Sequence, residues 1–293
     1  MSRESTDVMD MKGDSEPSEP TKRIVRQEAF FGCVICGNPI IEYAHLIPYP
    51  ESQDNSPRNL VSLCPTDHYR YDQGAISRDK IRKWKKSPFN KGRDVKDKFD
   101  IEGTVPIIEA GTNVCKNTPL LLVVDNKNIV TLFKEKDELL LNALFYDSNN
   151  TLLAYVENNE WHSLSNVMWD IQYSTVANQL IMRTAPRNII LRLRIKEGIV
   201  NLAGQLYYNG FRVLISPQAI KVGNKVCTMK QCTFENCISA IVVETQDGSI
   251  GIGSSVHEHE YITYYVLMWQ KYSTVCKPFF IMKECRFCKK ILL

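Results

Sequence analysis

The stretch EYAHLIPYPESQDNSPRNLVSLCPTDHYRYDQG, residues 42–74, contains in order His45, Asn59, Cys64 and His68. The run EYAHLIP around His45 is typical of a strand, and Asn59 lies in a polar loop that leads back toward Cys64. The segment DHYRYDQG has the composition of a helix with Gly74 as its C-cap. This order predicts a strand, a loop, a second strand and a helix.

Cysteines on both sides of this stretch indicate a structural metal site. Cys33 and Cys36 can present two thiolates from one turn, and Cys64 and Asp67 repeat the same spacing. Zn²⁺ takes four such donors in a tetrahedron, so these four residues predict a structural zinc, with Asp67 as an oxygen ligand or no ligand at all. The alternative is that the cysteines are reduced and simply pack a small core.

His45, Asn59 and His68, together with the segments AHLIPY, RNLVSLCPTDH and HYRYDQGAIS, resemble the HNH endonuclease family in its zinc-bearing, ββα-metal form. The resemblance covers about residues 29–86. It implies that His45, Asn59 and His68 are catalytic, with His45 as the general base that deprotonates water. It also implies that His68, Asp72 and Asn59 surround one divalent ion, Mg²⁺, Mn²⁺ or Zn²⁺, and that Asn59 either binds it or holds the His45 ring.

The chain departs from many members of that family directly before the first histidine. Ala44 stands where they carry Asp or His as a metal ligand, and Glu42 on the same strand face is a candidate replacement. The leading hypothesis is a metal-dependent DNA endonuclease with little sequence specificity. Its alternatives are a nucleic-acid-binding protein with an inactive HNH-like zinc module, and a β-rich interaction protein with a merely structural zinc.

Residues 77–98 are rich in lysine and arginine. Ser77 is a suitable N-cap for a helix whose Ile81 and Trp84 face inward, leaving the cations outside. Beside a nuclease site these cations would neutralise phosphates, although a solvated helix face has the same composition. The predicted nucleic-acid-binding residues are Arg78, Lys80, Arg82, Lys83, Lys85 and Lys86.

Short alternating runs separated by Asn-Asn and Asn-Gly turns begin near residue 119 and predict strands. The predicted fold class is α+β, a small N-terminal ββα-metal HNH domain followed by a mainly-β region of sandwich or β-solenoid type. The predicted divisions are a disordered tail (1–24), the HNH domain with its basic helix (25–98), a connector (99–118), a mainly-β domain (119–223) and a Cys-rich β extension of it (224–293).

The β region contains few groups that indicate a second active site. Cys285 and Cys288 could bind a second zinc with Cys276 or with the set Cys227, Cys232 and Cys237, but cysteines in strands are more often buried apolar residues. The segment HEHE, residues 257–260, is typical of an exposed strand, and His162 of a turn or edge. The β region is expected to serve targeting, regulation by a ligand or partner protein, or homodimer formation. Prokaryotic antiviral defence is a setting that the family resemblance offers.

No apolar run approaches the roughly 18 residues of a membrane span, and the N-terminus has no signal-peptide pattern. A cytoplasmic protein is therefore expected, with DNA rather than a membrane as its partner. Ten cysteines in such a chain favour metal sites and free thiols over disulfides.

Overall fold

The computed structural model describes residues 16–164, 166–223, 227–254 and 281–282. The chain divides between Lys91 and Gly92 into two compact units. We call the described residues up to Lys91 the N-terminal unit and those from Gly92 the β unit. The first part of the predicted tail, the HEHE segment and the cysteines 276, 285 and 288 lie outside the described residues.

The N-terminal unit contains the predicted strand–strand–helix order. Its elements are α1 (Glu19–Glu28), β1 (Glu42–His45), α2 (Tyr49–Ser52), β2 (Leu60–Leu63), α3 (Pro65–Asp72) and α4 (Arg78–Lys86). β1 and β2 pair antiparallel, with Glu42 opposite Leu63 and His45 opposite Leu60. α3 starts directly after β2, so the hairpin and the helix form one continuous ββα segment.

A small apolar core holds these elements together. β2 is buried along its whole length, and Ala44, Val61, Leu63 and Ile81 belong to one cluster of buried side chains. The Ser77 side chain accepts a hydrogen bond from the Lys80 amide at 3.3 Å and thereby caps α4. The cap and the inward position of Ile81 confirm the predicted basic helix.

The prediction of a disordered tail up to residue 24 is wrong for residues 19–24, which belong to α1. Ser18 caps this helix through the Thr21 amide, and a proline stands in its first turn. Val25 is buried, and the Arg26 guanidinium donates to the Tyr43 hydroxyl on β1 at 2.6 Å. Contacts with β1 therefore stabilise this helix, although its polar composition does not indicate an ordered segment.

The β unit consists of nineteen strands among the residues described. They are β3 (Val95–Lys98), β4 (Ile107–Ala110), β5 (Asn113–Lys116), β6 (Leu120–Val124), β7 (Lys127–Glu135), β8 (Glu138–Tyr146), β9 (Leu152–Glu157), β10 (Glu160–Ser163), β11 (Asp170–Ser174), β12 (Gln179–Ala185), β13 (Asn188–Lys196), β14 (Ile199–Tyr208), β15 (Phe211–Ser216), β16 (Ala219–Val222), β17 (Cys227–Met229), β18 (Cys232–Glu235), β19 (Ser239–Glu244), β20 (Ser249–Ser254) and β21 (Ile281–Met282). The mainly-β prediction is confirmed.

These strands form two large sheets. The eight-stranded sheet has the order β20-β19-β6-β7-β8-β9-β10-β3. The eleven-stranded sheet follows β11-β12-β13-β14-β4-β5-β18-β21, with β15 on β14, β16 on β15 and β17 on β16. Most neighbours are antiparallel, but β4 with β14, β5 with β18 and β6 with β19 are parallel pairs. In these three pairs, strands that are far apart in the sequence therefore lie side by side.

Two further predicted divisions need correction. Residues 95–98, assigned to the HNH domain, form β3 of the β unit, which pairs with β10. The predicted connector, residues 99–118, contains β4 and β5, because Ile108, Ala110 and Cys115 alternate into the core over strands too short to show a period. The described strands beyond residue 224 belong to the same two sheets as the rest.

The interior of the β unit contains large aromatic side chains among many aliphatic ones. Phe99, Phe145, Trp161 and Phe234 are among its largest fully buried side chains. Cys227, Cys232 and Cys237 are buried as well, as expected for small apolar residues in strands. In the part of the chain that the structure describes, no helix is long and apolar enough to cross a membrane.

Candidate functional site

The four predicted zinc ligands come together in the N-terminal unit. One donor atom from each of Cys33, Cys36, Cys64 and Asp67 lies within 4.8 Å of all the others. The Cys33 amide donates to the Asn38 carbonyl at 2.8 Å, and the Gly37 amide donates to the Cys33 carbonyl at 2.9 Å. This tight turn directs two thiols toward the junction of β2 and α3, where the other two donors lie.

The distances within this cluster fit one tetrahedral ion. The Cys36 and Cys64 sulfurs are 3.7 Å apart, and Asp67 Oδ2 lies 3.4 Å from the Cys33 sulfur and 3.4 Å from the Cys64 sulfur. Around Zn²⁺ with ordinary bond lengths, two sulfurs would be about 3.8 Å apart and a sulfur and an oxygen about 3.5 Å apart. The four residues could therefore hold a metal ion without rearrangement.

The surroundings of the cluster complete a metal site. Arg70 Nη1 donates to Asp67 Oδ1 at 2.9 Å, which fixes the carboxylate and leaves Oδ2 toward the sulfurs. Burial raises the pKa of the Cys33 thiol and that of the Cys64 thiol. Since a metal ligand must be a thiolate, binding of a cation here would release protons that burial otherwise retains.

His68 on α3 lies between two carboxylates. Its Nδ1 is 2.7 Å from Glu42 Oε2 on β1, and its Nε2 is 3.6 Å from Asp72 Oδ2 one turn further along the helix. The predicted pairing of His68 with Asp72 is thus present, and Glu42 is close to the same ring. Within the described residues, Cys33, Cys36, Cys64 and Asp67 are nevertheless the one group of three or more His, Cys, Asp or Glu side chains whose ligand atoms all lie within 4.8 Å of one another.

His45 ends β1 and has a partner that the sequence did not indicate. Its Nε2 lies 2.9 Å from Asn55 Oδ1 in the loop between the strands, and its ring contacts that of Tyr49 with centroids 5.6 Å apart. Because the Asn55 oxygen is an acceptor, Nε2 carries the ring hydrogen and Nδ1 is the basic nitrogen.

Asn59 is placed differently from what the family resemblance implied. It is 5 % exposed, and its Oδ1 accepts from the Ile47 amide at 2.8 Å. Its Nδ2 donates to the Ile47 carbonyl at 3.0 Å, the Asp54 carbonyl at 2.9 Å and the Ser52 hydroxyl at 3.2 Å. In the described structure Asn59 makes no hydrogen bond to His45. It braces the loop after β1 instead of holding the ring, because this loop has unpaired backbone groups that need partners.

Comparison with known proteins gave a match, which extends from the first cysteine of the cluster to the N-cap of α4. Residues 33–77 match the family model described as HNH endonuclease. The match confirms the resemblance seen in the sequence, and it points to a nuclease-type function acting on nucleic acid. Searches of curated proteins and of solved structures found no match. We call residues 33–77 the HNH segment.

The basic helix that follows the HNH segment has an outer cationic face. Arg78, Lys80, Lys83 and Lys86 are exposed. Lys80 Nζ lies 5.0 Å from the centroid of the Trp84 ring, and Arg82 forms an exposed ion pair with Asp79 at 3.1 Å. These residues remain candidates for contact with phosphates.

Lys85 does not belong to that face, which corrects its predicted role. Its Nζ donates to the carbonyls of Pro57 and Leu60 at 2.5 Å each and lies 3.0 Å from Glu28 Oε2 on α1. The side chain therefore fastens the end of the inter-strand loop of the HNH segment to α1 and α4. With its hydrogens directed at these three oxygens, the ammonium group is not available to a phosphate.

Proposed function

We propose that this protein is a metal-dependent DNA endonuclease that hydrolyses phosphodiester bonds with little sequence preference. The observation that carries the proposal is the HNH segment, in which a ββα arrangement presents His45 from β1 and His68 with Asp72 from α3. Tyr71 supports the arrangement, because its hydroxyl donates to the Leu46 carbonyl at 3.1 Å and ties α3 to the residue after His45.

His45 is the proposed general base. Its Nε2 hydrogen is directed at Asn55, so Nδ1 would take the proton from a water molecule that attacks the phosphorus. An imidazole is suited to this step near neutral pH because much of it is unprotonated there. The bond that breaks joins phosphorus to the leaving 3′ oxygen.

His68 Nε2 and Asp72 Oδ2 are the atoms that would hold the catalytic ion. They are 3.6 Å apart, against about 3.4 Å for two ligands of one tetrahedral ion with bonds of ordinary length. When bound, a divalent ion stabilises the negative charge on the scissile phosphate and on the leaving oxygen. Glu42 would accept the His68 Nδ1 hydrogen and so keep the Nε2 lone pair directed at the ion.

The cluster of Cys33, Cys36, Cys64 and Asp67 is proposed to hold structural Zn²⁺. Three sulfurs and one carboxylate oxygen with these separations favour zinc over the harder cations Mg²⁺ and Ca²⁺. The ion would pin the turn before β1 to the start of α3. The β unit would then target, regulate or dimerise the nuclease, and prokaryotic defence is one setting for such a fusion.

Plasmid cleavage tests the proposed function. Wild type, His45→Ala and a matched histidine variant of the β unit, His162→Ala, are compared with no added divalent ion and with Mg²⁺, Mn²⁺ or Zn²⁺. Metal-dependent nicking should fall at least about 10²-fold in His45→Ala and persist in His162→Ala, while both variants retain the folded circular dichroism spectrum. Undiminished cleavage by His45→Ala would refute the mechanism.

Ala44 favours one alternative function. It is buried and offers no donor at the position before the first histidine, so the HNH segment could bind nucleic acid without cleaving it. This alternative predicts salt-dependent DNA binding and no strand scission with any of the three ions, and the same plasmid assay distinguishes it from the endonuclease.

A further inference from the structure

The outer face of the eleven-stranded sheet has an unusual charge pattern along β13. Leu191, Leu193 and Ile195 are buried, whereas Arg192 and Arg194 between them are exposed. Since successive side chains of a strand point to opposite faces, both guanidinium groups extend from the solvent side of the sheet.

The neighbours of these arginines are uncharged. Arg192 lies between Ile181 of β12 and Ala203 of β14. Arg194 lies between Gln179 and Asn201 on the same two strands. In the described part of the chain neither guanidinium has a carboxylate within ion-pair distance.

Several other cations of the same sheet are paired with carboxylates. Arg183 lies 3.6 Å from Asp170, Lys196 lies 3.5 Å from Glu197, and Lys116 lies 2.7 Å from Glu235. The positive charges of Arg192 and Arg194 are not compensated in this way.

Hydrogen-bonding groups continue this face beyond β13. Gln205 Nε2 donates to Asn188 Oδ1 at 2.8 Å, and the Tyr207 hydroxyl donates to Gln205 Oε1 at 3.3 Å. Arg212 lies directly opposite Tyr207 in the register of β14 and β15. Among the described residues, the buried Nε of Arg212 has no hydrogen-bond partner. The face thus combines three arginines with neutral amide and hydroxyl groups, and by strand register Lys221 and Glu109, which is opposite Asn201, also lie on it.

We propose that the face formed by Arg192, Arg194 and Arg212, here called the arginine face, binds the sugar-phosphate backbone of duplex DNA. Guanidinium groups match phosphate oxygens in charge and in geometry. Arg192 and Arg194 are two residues apart on one strand, about 6.7 Å, so each can contact a different phosphate of one DNA strand, along which a phosphate recurs about every 3.4 Å of the helix axis. Neutral amides and hydroxyls add backbone contacts without reading the sequence.

The proposal rests on the proposed function only for its choice of ligand, and it gives the β unit a DNA contact of its own. The test measures binding rather than cleavage. The full chain is titrated against a fluorescent duplex of about 20 base pairs without added divalent ions, at 50 to 200 mM salt. Withholding ions, instead of chelating them, leaves any structural metal in place.

Three proteins are compared, namely wild type, Arg192→Gln/Arg194→Gln, and the control Lys134→Gln/Lys136→Gln. The control removes two exposed cations from the β7–β8 turn of the other sheet, where Glu135 and Asp137 alternate with them. Each lost phosphate contact lowers the slope of log K against log salt by about 0.9. Over this salt range wild type should therefore lose roughly tenfold more affinity than the arginine variant, while the control keeps the wild-type slope.

A wild-type slope in the arginine variant, or an equal decrease in the control, would overturn the arginine face. Absence of duplex binding by wild type would overturn it as well. Failure of the proposed endonuclease is seen separately, as absence of plasmid cleavage with every ion. A reduced slope in a protein that does not cleave would uphold the arginine face together with the binding alternative. Equal thermal melting of the three proteins excludes misfolding as the cause.

Discussion

At the scale of single residues, polar side chains of the N-terminal unit form hydrogen bonds that hold the inter-strand loop in place. Asn59 is buried and satisfies backbone groups at Ile47 and Asp54 that no strand or helix pairs. His45 is the last residue of β1, next to the same loop, and its ring forms a hydrogen bond with Asn55. The position of the proposed general base therefore depends on a loop that one buried amide holds closed.

Replacement of Asn59 by alanine should lower the free energy of unfolding by about 2–3 kcal/mol, because the Ile47 amide and the Asp54 carbonyl lose their side-chain partner and the Ile47 carbonyl keeps only the Ser52 hydroxyl. Urea unfolding at constant metal content measures this loss. Asn38→Ala is the matched control, since the Asn38 side chain accepts one exposed hydrogen bond, from the Ile40 amide at 2.8 Å. An Asn59→Ala protein of wild-type stability that had lost its catalytic ion would show that Asn59 is a ligand after all.

At the scale of elements, α4 presents two faces with different tasks. Ile81 and Trp84 pack on the apolar core of the HNH segment. Lys85 reaches the carbonyls of Pro57 and Leu60, 28 and 25 residues earlier in the chain. Lys83, two residues before it, is exposed. Two lysines that are close in the sequence of α4 therefore differ in their environment. Lys85 makes a structural contact, whereas Lys83 lies on the exposed surface that is the candidate for DNA binding.

Lys83→Gln and Lys85→Gln each remove one positive charge, but the first should affect DNA binding and the second the stability of the protein. Lys83→Gln should lower the slope of log K against log salt for duplex binding by about 0.9 and leave the melting temperature unchanged. Lys85→Gln should destabilise the N-terminal unit by about 1–3 kcal/mol, since two partly buried carbonyls lose a charged donor, with little change of the slope. Salt-dependent anisotropy and thermal melting measure the two effects, and an exchange of the two outcomes would contradict this division of α4.

At the scale of the whole molecule, the two units have separate cores and different means of stabilisation. The N-terminal unit has a small core around one metal-ligand cluster. The β unit buries large aromatic side chains between many strands, and burial raises the pKa of its Cys115 thiol. A small unit with few buried apolar residues depends more on a structural ion than a large one does.

Scanning calorimetry should therefore resolve two transitions, of which a strong chelator affects one. Loss of the ion should destabilise the N-terminal unit by roughly 5 kcal/mol or more and leave the β-unit transition in place. Cys64→Ser should reproduce the effect of the chelator and reduce the zinc content. The reciprocal control Cys115→Ala should shift the β-unit transition alone, with zinc retained. One joint transition that moves with the chelator would contradict separate units.

Features that depend on short spacings could be predicted from the amino-acid sequence alone. The ββα order, the pairing of His68 with Asp72, the clustering of Cys33, Cys36, Cys64 and Asp67, and the Ser77 cap each follow from residues a few positions apart or from one hairpin. Spacing along the backbone dictates which side chains share a turn or a helix face, so these could be read directly. The mainly-β character of the rest was likewise evident from alternating apolar residues.

Contacts between groups that are far apart in the sequence could not be predicted and are seen only in the folded chain. Arg26 orders α1 by reaching Tyr43, Lys85 faces inward toward Pro57, and β5 lies beside β18, about 119 residues later in the chain. Asn59 bonds its own loop rather than the His45 ring for the same reason. Buried polar groups take whichever partner folding brings within about 3 Å, and that choice depends on the packing of the whole unit, which no local pattern contains.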